Sequence, residues 1–302
     1  MDNLTHSLVG ALLGQTGLKK KTGLGMPALI IGANLPDVDA ACFFWLEGTE
    51  HLGFRRGITH GPPAMVLLPL ILAGLLWGFD RWQAKRGKRP EKRLPVHFGW
   101  LFALSLIGCL SHPVFDWFNV YGIRLLEPFS SRWFYGDTLF IIDVWLWAIL
   151  IGSVWWSRRR EKRGGNWQRA AWIGIIIGSV YVAANGLITK IAEEATFART
   201  GLASIESPLV INSWERETII RERRGAYRID GDLVGQCSLG FVKETELSSQ
   251  ADAFLLWSRA PFGVRAKDGS VILYDARFYD PRARGRFSVA LPDVECKELP
   301  AD

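Results

Sequence analysis

Apolar positions form long unbroken runs over residues 1–198 and short alternating stretches over residues 199–302. Runs at Pro63–Phe79, Phe98–Phe118, Leu139–Trp156 and Ala170–Lys190 fall in the range of roughly 17–25 residues that a helix needs to cross a bilayer core. A fifth run, Leu24–Leu46, is long enough but carries Asn34, Asp37 and Asp39. A sixth, Thr5–Leu18, is short and predicts a re-entrant or interfacial segment. The pattern predicts an α-helical polytopic membrane domain over 1–198. A small β-rich (α+β) soluble domain follows over 199–302. Within it, Thr218–Arg221, Ala226–Ile229, Val264–Ala266 and Val271–Phe278 read as strands and Asp252–Ser258 as a short helix. Arg224-Gly225, Asp230-Gly231 and Asp268-Gly269 are turn signals, the last suited to a hairpin.

Composition adds little until it is placed along the chain. The chain is 49% hydrophobic and 22% charged, near the average for globular proteins, and the average hides the split. Most of the 14 Trp lie near the ends of apolar runs, as in an interfacial belt. The net charge of +6 comes from blocks between runs: Lys19-Lys20-Lys21, the Lys and Arg of Arg81–Arg93, and Arg158–Arg163. That is a positive-inside pattern rather than a nucleic-acid face. With these blocks in the cytoplasm, the full-length runs alternate in direction and the tail lies outside. The expected location is the bacterial inner (cytoplasmic) membrane, multi-pass, with an extracytoplasmic C-terminal domain. Asp2 and His6 near the start, with no small-residue cleavage site after them, predict no cleaved signal peptide.

Charged groups inside a span are costly, and by default they mark a functional site. Counted at ~1.5 Å per residue from the cytoplasmic ends, His6, Asp37, Asp39, His60, His112 and Asp116 reach a similar depth below the outer surface. Imidazole and carboxylate together suit Zn²⁺, with Mn or Fe as alternatives. His112 and Asp116 are spaced i, i+4 and share one helix face. Asn34-Leu35-Pro36-Asp37 predicts a broken helix, because Pro removes a donor and disfavours helix at the preceding residue. Arg56 stands four residues before His60, where a guanidinium can clamp a phosphate. Asp39, Arg56 and Thr59 are the candidate catalytic residues, with Asp137 and Asp143 behind them. A structural reading competes for each alone: a buried His is often merely hydrogen-bonded, and an Asp can pair with Arg56 or Arg124. Six such residues at one depth favour a metal site.

The set Thr5-His6, Asn34-Leu35-Pro36-Asp37-Val38-Asp39, Arg56-Gly57-Ile58-Thr59-His60 and His112-Pro113-Val114-Phe115-Asp116 resembles the YdjM family. That family is described as inner-membrane-associated metal-dependent hydrolases. The resemblance covers about residues 1–190. Ser207-Pro208, Asn212 and Trp214 also look like the segment after the spans in longer members. A more distant similarity is to zinc-dependent phospholipase C. By order, His6, Asp37 or Asp39, His60, His112 and Asp116 would take its ligand roles. No second HxxxE or HxxxD occurs, so one or two ions are expected rather than three, and Asp143 could replace part of the set.

In the tail, acidic and basic residues nearly balance and His is absent, which argues against nucleic acid and a second metal centre. Cys42 and Cys109 sit in apolar runs and read as small buried residues, whereas Cys237 and Cys296 could form a disulfide outside the cytoplasm. No Walker loop, dinucleotide fingerprint, CxxC or GxSxG is present, so NTP hydrolysis, hydride transfer and serine-esterase chemistry have no support. The expectation is a membrane-bound metal-dependent hydrolase of a lipid or lipid-linked (phospho)ester, with a metal-activated water as nucleophile and membrane lipids as partners. The alternatives are a non-catalytic metal-binding membrane protein with a regulatory or envelope-stress role and, last, an ion-coupled transporter.

Overall fold

The structure, a computed structural model, describes residues 1–222, 226–240, 247–280 and 284–299. The Arg224-Gly225 turn signal lies outside the described residues. The N-terminal half is helical, and the C-terminal part holds two small antiparallel sheets. Among the described residues, four helices are long and apolar enough to cross a membrane: Gly25–Phe44, Pro62–Lys85, Phe98–Trp117 and Trp167–Thr200. The chain divides into two compact units.

The first unit comprises Met1–Val38, Arg56–Gly186 and Val210–Ser213. Its helices are α1 (Asn3–Gln15), α2 (Gly25–Asn34), α4 (Pro62–Lys85), α5 (Phe98–Trp117), α6 (Val144–Lys162) and the first part of α7 (Trp167–Thr200). Helix α3 (Glu50–Phe54) belongs to the second unit. Asp2 starts α1 by accepting hydrogen bonds from the backbone N–H groups of Leu4 and Thr5. Helix α1 is 13 residues long, short of a span. Helix α2 ends at Asn34, and Leu35–Phe44 continues as a 3-10 helix, as Pro36 predicts.

Helices α2 and α5 pack backbone to backbone. A side chain on Gly108 would stand 2.5 Å from the Leu29 carbonyl, and one on Gly32 would stand 2.6 Å from that of Ser105. Small residues permit this approach. One core joins Ala28, Leu29, Leu72, Ala73, Leu101 and Leu104; another joins Val9, Leu12, Leu139, Leu146 and Leu150. The opposite faces are apolar and exposed: Leu67, Ile71 and Leu75 on α4, Ile176, Ile177 and Val180 on α7. Apolar outer faces of this kind suit lipid contact.

The predicted run Leu139–Trp156 is reshaped. Residues 139–143 are not helical, and Asp143 caps α6 by accepting from Leu146 N at 2.7 Å. Tyr181 donates its hydroxyl to the same carboxylate. Helix α6 ends in the Arg158–Lys162 block, which keeps it outside the four apolar helices.

The second unit comprises Asp39–Arg55, Leu187–Leu209 and Trp214–Asp302. Strands β1 (Ser204–Pro208), β2 (Arg216–Arg221), β3 (Tyr227–Ile229) and β4 (Asp232–Val234) form one antiparallel sheet in sequence order. Strands β5 (Pro261–Arg265), β6 (Ser270–Asp275) and β7 (Ser288–Glu295) form the other. Asp230 and Gly231, at φ of 48° and 98°, make the two-residue turn between β3 and β4. Positive φ at both positions is what a type I′ hairpin requires.

Residues 39–55, read from sequence as a span end and its loop, pack within this unit. Helix α3 (Glu50–Phe54) meets α8 (Ser249–Trp257), with Thr49 donating its hydroxyl to the Gln250 carbonyl at 2.8 Å and Ser249 to the Glu50 carboxylate. Cys237 and Cys296 form a disulfide with Cα atoms 5.1 Å apart. Burial disfavours the Asp275 charge, but Arg277 at 2.8 Å and several hydrogen bonds hold its carboxyl below the usual range. Burial, then the nearby Asp230 and Asp280 carboxylates, push Glu217 up to about 7.

Candidate metal centre

Four separate stretches of the first unit bring polar side chains to one buried place. Capping by Asp2 sets the start of α1 and puts His6 in its first turn. The end of α2 at Asn34 places Asp37 in the following turn. His60 closes a short 3-10 turn, Ile58–His60, and Pro62 and Pro63 then open α4. His112 and Asp116 lie on the buried face of α5 beside Ser105, Gly108 and Cys109.

The Asp116 carboxylate is the hub. Its Oδ1 is 3.4 Å from His6 Nε2, and its Oδ2 is 3.5 Å from His60 Nε2 and 3.3 Å from His112 Nε2. His60 Nε2 and His112 Nε2 are 3.2 Å apart, and Asp37 Oδ2 is 3.9 Å from His112 Nε2. The His6 and His112 rings stack at 3.7 Å. All three His and Asp116 are buried. Among the described residues, two sets could hold an ion: His6, Asp37 and His112, and His60, His112 and Asp116.

The donor set fits a divalent cation. Nδ1 of His112 is 2.8 Å from the Ala33 carbonyl and donates to it, so Nε2 is the nitrogen turned to the centre. Thr59 Oγ1 sits 3.0 Å from His60 Nδ1 and occupies that nitrogen. His6 Nδ1 has no hydrogen-bond partner among the described residues, and Nε2 makes only the 3.4 Å contact with Asp116, which is costly for a buried imidazole. Ligand atoms held at 2.0–2.1 Å in a tetrahedron lie ~3.3 Å from one another. The nitrogen and oxygen separations around Asp116 match that spacing.

Arg56 borders the group. Its Nε is 3.2 Å from Asp116 Oδ2, and its Nη1 donates to Asn119 Oδ1 at 3.0 Å and to the Gly122 carbonyl at 3.1 Å. Its φ of 55° is a strained, left-handed value for this residue type. The Met1 amine also contacts Asp116.

The six residues singled out as metal ligands divide. His6, Asp37, His60, His112 and Asp116 come together in the two sets. Asp39 is in neither and pairs with Arg55 at 3.4 Å. Of the three candidate catalytic residues, Arg56 touches the group and Thr59 touches His60. Asp137 and Asp143 are in neither set, and Asp143 is used as a helix cap. Asn119 does not stand out in the sequence. Its one signal is a polar residue three positions after Asp116, at the end of an apolar helix.

The profile of the YdjM inner membrane protein family matches residues 1–192, so the chain belongs to that family. A curated relative is an uncharacterized protein, YfhP, of Bacillus subtilis (strain 168). It is 26% identical over 141 residues, 44% of this chain and 39% of the relative. The chain therefore spans well under half the length of that protein. No solved structure matches.

Proposed function

We propose that this member of the YdjM inner membrane protein family is a membrane-bound metal-dependent hydrolase acting on a lipid or lipid-linked phosphoester. The observation that carries the reading is the convergence of three imidazole Nε2 atoms on the Asp116 carboxylate inside the helical unit. His6, His60, His112, Asp116 and Asp37 would hold one or two divalent ions, Zn²⁺ first and Mn or Fe next. A bound ion supplies Lewis acidity and makes water a competent nucleophile near neutral pH.

The remaining roles fall to the chain itself. Asp37, at the margin of the group, orients the attacking water and accepts its proton. Arg56 stabilises charge that develops on the phosphoryl oxygens. Thr59 fixes the His60 ring and is a positioning residue. Asp39 meets Arg55 at 3.4 Å.

In the same reading the chain is multi-pass in the bacterial cytoplasmic membrane. Its basic blocks face the cytoplasm and its sheet domain lies outside. The Cys237–Cys296 disulfide supports an oxidising compartment for that domain.

The test is phosphate release from lipid phosphoesters in mixed micelles by metal-loaded protein. His60→Ala is expected to lower turnover by about a thousandfold or more, a usual cost of losing a catalytic group. Full turnover in that variant would rule out the mechanism.

A further inference from the structure

Beside the His–Asp group, buried hydrogen-bond donors gather around Arg56. Asn119 is fully buried. Its Oδ1 accepts from Arg56 Nη1 at 3.0 Å and from Tyr121 N at 2.8 Å, which fixes the amide orientation. Nδ2 then has no partner among the described residues. Trp133 Nε1 is also buried without a partner among them.

A second buried guanidinium stands close by. Arg124 N donates to the Arg56 carbonyl at 3.0 Å. The Arg56 guanidinium lies over the Tyr121 ring at 4.4 Å, and that of Arg124 lies over Trp133 at 5.2 Å. The Tyr121 and Trp133 rings are 6.3 Å apart. Arg56 and Arg124 are 5% and 7% exposed, so neither charge is dissolved in solvent. Asp116 meets Arg56 and Glu127 meets Arg124, at 3.2 and 3.0 Å. The backbone reinforces the arrangement: Ile123 and Phe134 exchange hydrogen bonds and close the 123–134 loop on itself.

The two buried donors without acceptors among the described residues, Asn119 Nδ2 and Trp133 Nε1, incur a desolvation cost that a suitable ligand beside the two guanidiniums removes. The ligand that answers this set offers several acceptor oxygens, negative charge and no need of acceptors from the protein. A phosphate group meets all three conditions, and guanidinium groups bind it in directed pairs. We propose that Arg56, Arg124, Asn119 and Trp133 form an oxyanion subsite beside the candidate metal centre, which takes the terminal phosphate of a lipid. The lipid part rests on the hydrolase reading; the phosphate part rests on the donors alone.

The test is binding by the full-length protein in detergent, with and without added zinc. Probes are phosphatidic acid in mixed micelles, phosphatidylcholine micelles as control, and inorganic phosphate as competitor. Phosphatidic acid is expected to bind about tenfold or more tightly than phosphatidylcholine. Trp133→Phe removes one N–H and keeps the ring, and should weaken that affinity about three- to tenfold. Asn119→Asp turns the donor into a second anion and should weaken it more than about tenfold. Competition by inorganic phosphate would extend the site to free phosphate, and absence of competition would restrict it to lipid-borne phosphate. Equal binding of the two lipids, or unchanged affinity in both variants, would overturn the subsite. Metal content of the same samples separates the two claims. A wild type without metal but with Asn119-dependent binding keeps the subsite and removes the hydrolase reading. Metal retained with variant-independent binding does the reverse.

Discussion

His112 shows how the fold fixes one residue of the candidate centre. Its Nδ1 is engaged by the Ala33 carbonyl, and its position on α5 sets it one turn from Asp116. Both constraints come from backbone, which holds the ring more firmly than another side chain would. The sheet domain offers a contrasting residue in Glu217, whose carboxyl is displaced upward by burial and by Asp230 and Asp280. The proton is held more tightly in the folded chain than in the unfolded one. The stability it contributes is therefore complete below the ordinary value of 4.5 and lost as pH rises through about 7. Glu217→Gln should raise the unfolding temperature of the full-length protein at pH 8 but not at pH 4. The gain is about 1 kcal/mol once its partial exposure is allowed for. An equal effect at both pH values would contradict this account of the residue.

At the scale of elements, the α2–α5 contact carries the site. Gly32 and Gly108 let the two backbones touch, and the same contact delivers the Ala33 carbonyl to His112. Gly108→Ala should destabilise the helical unit by about 1–3 kcal/mol and reduce metal retention. Gly78→Ala, on α4 with open space around it, should do neither when melting and metal content are measured side by side.

The helices and the strands were not equally legible from sequence. The break before Pro36 and the i, i+4 pair on α5 could be read directly, because local chemistry imposes them. Strand β6 was legible from its alternation, although Ala276–Phe278, read as its continuation, forms a 3-10 turn capped by Asp275; β1, β4 and β7 were not legible. Strand β1 carries a buried Glu206 satisfied by the hydroxyls of Thr196, Ser204 and Thr218. Strand β4 is three residues long, and β7 is an edge strand containing Pro292. Tertiary partners make these strands, and no local pattern announces them. The contacts of Asp39 and Asn119 were hidden for the same reason, since only the folded chain pairs one with Arg55 and the other with Arg56.

For the whole molecule, two claims can be measured. The proposed orientation requires α6 to cross despite its Arg-rich end, whose side chains can extend to the interface. A C-terminal reporter active only outside the cytoplasm should therefore be active. A reporter active only in the cytoplasm would mean that α6 does not cross. The central claim is the metal centre itself. Elemental analysis of detergent-purified protein, wild type beside His112→Ala/Asp116→Ala, tests it most directly. The account predicts about one or two equivalents of Zn, Mn or Fe in the wild type and none in the variant. No metal in either protein, even after reconstitution with Zn²⁺, would contradict it and leave the buried His and Asp as a structural network.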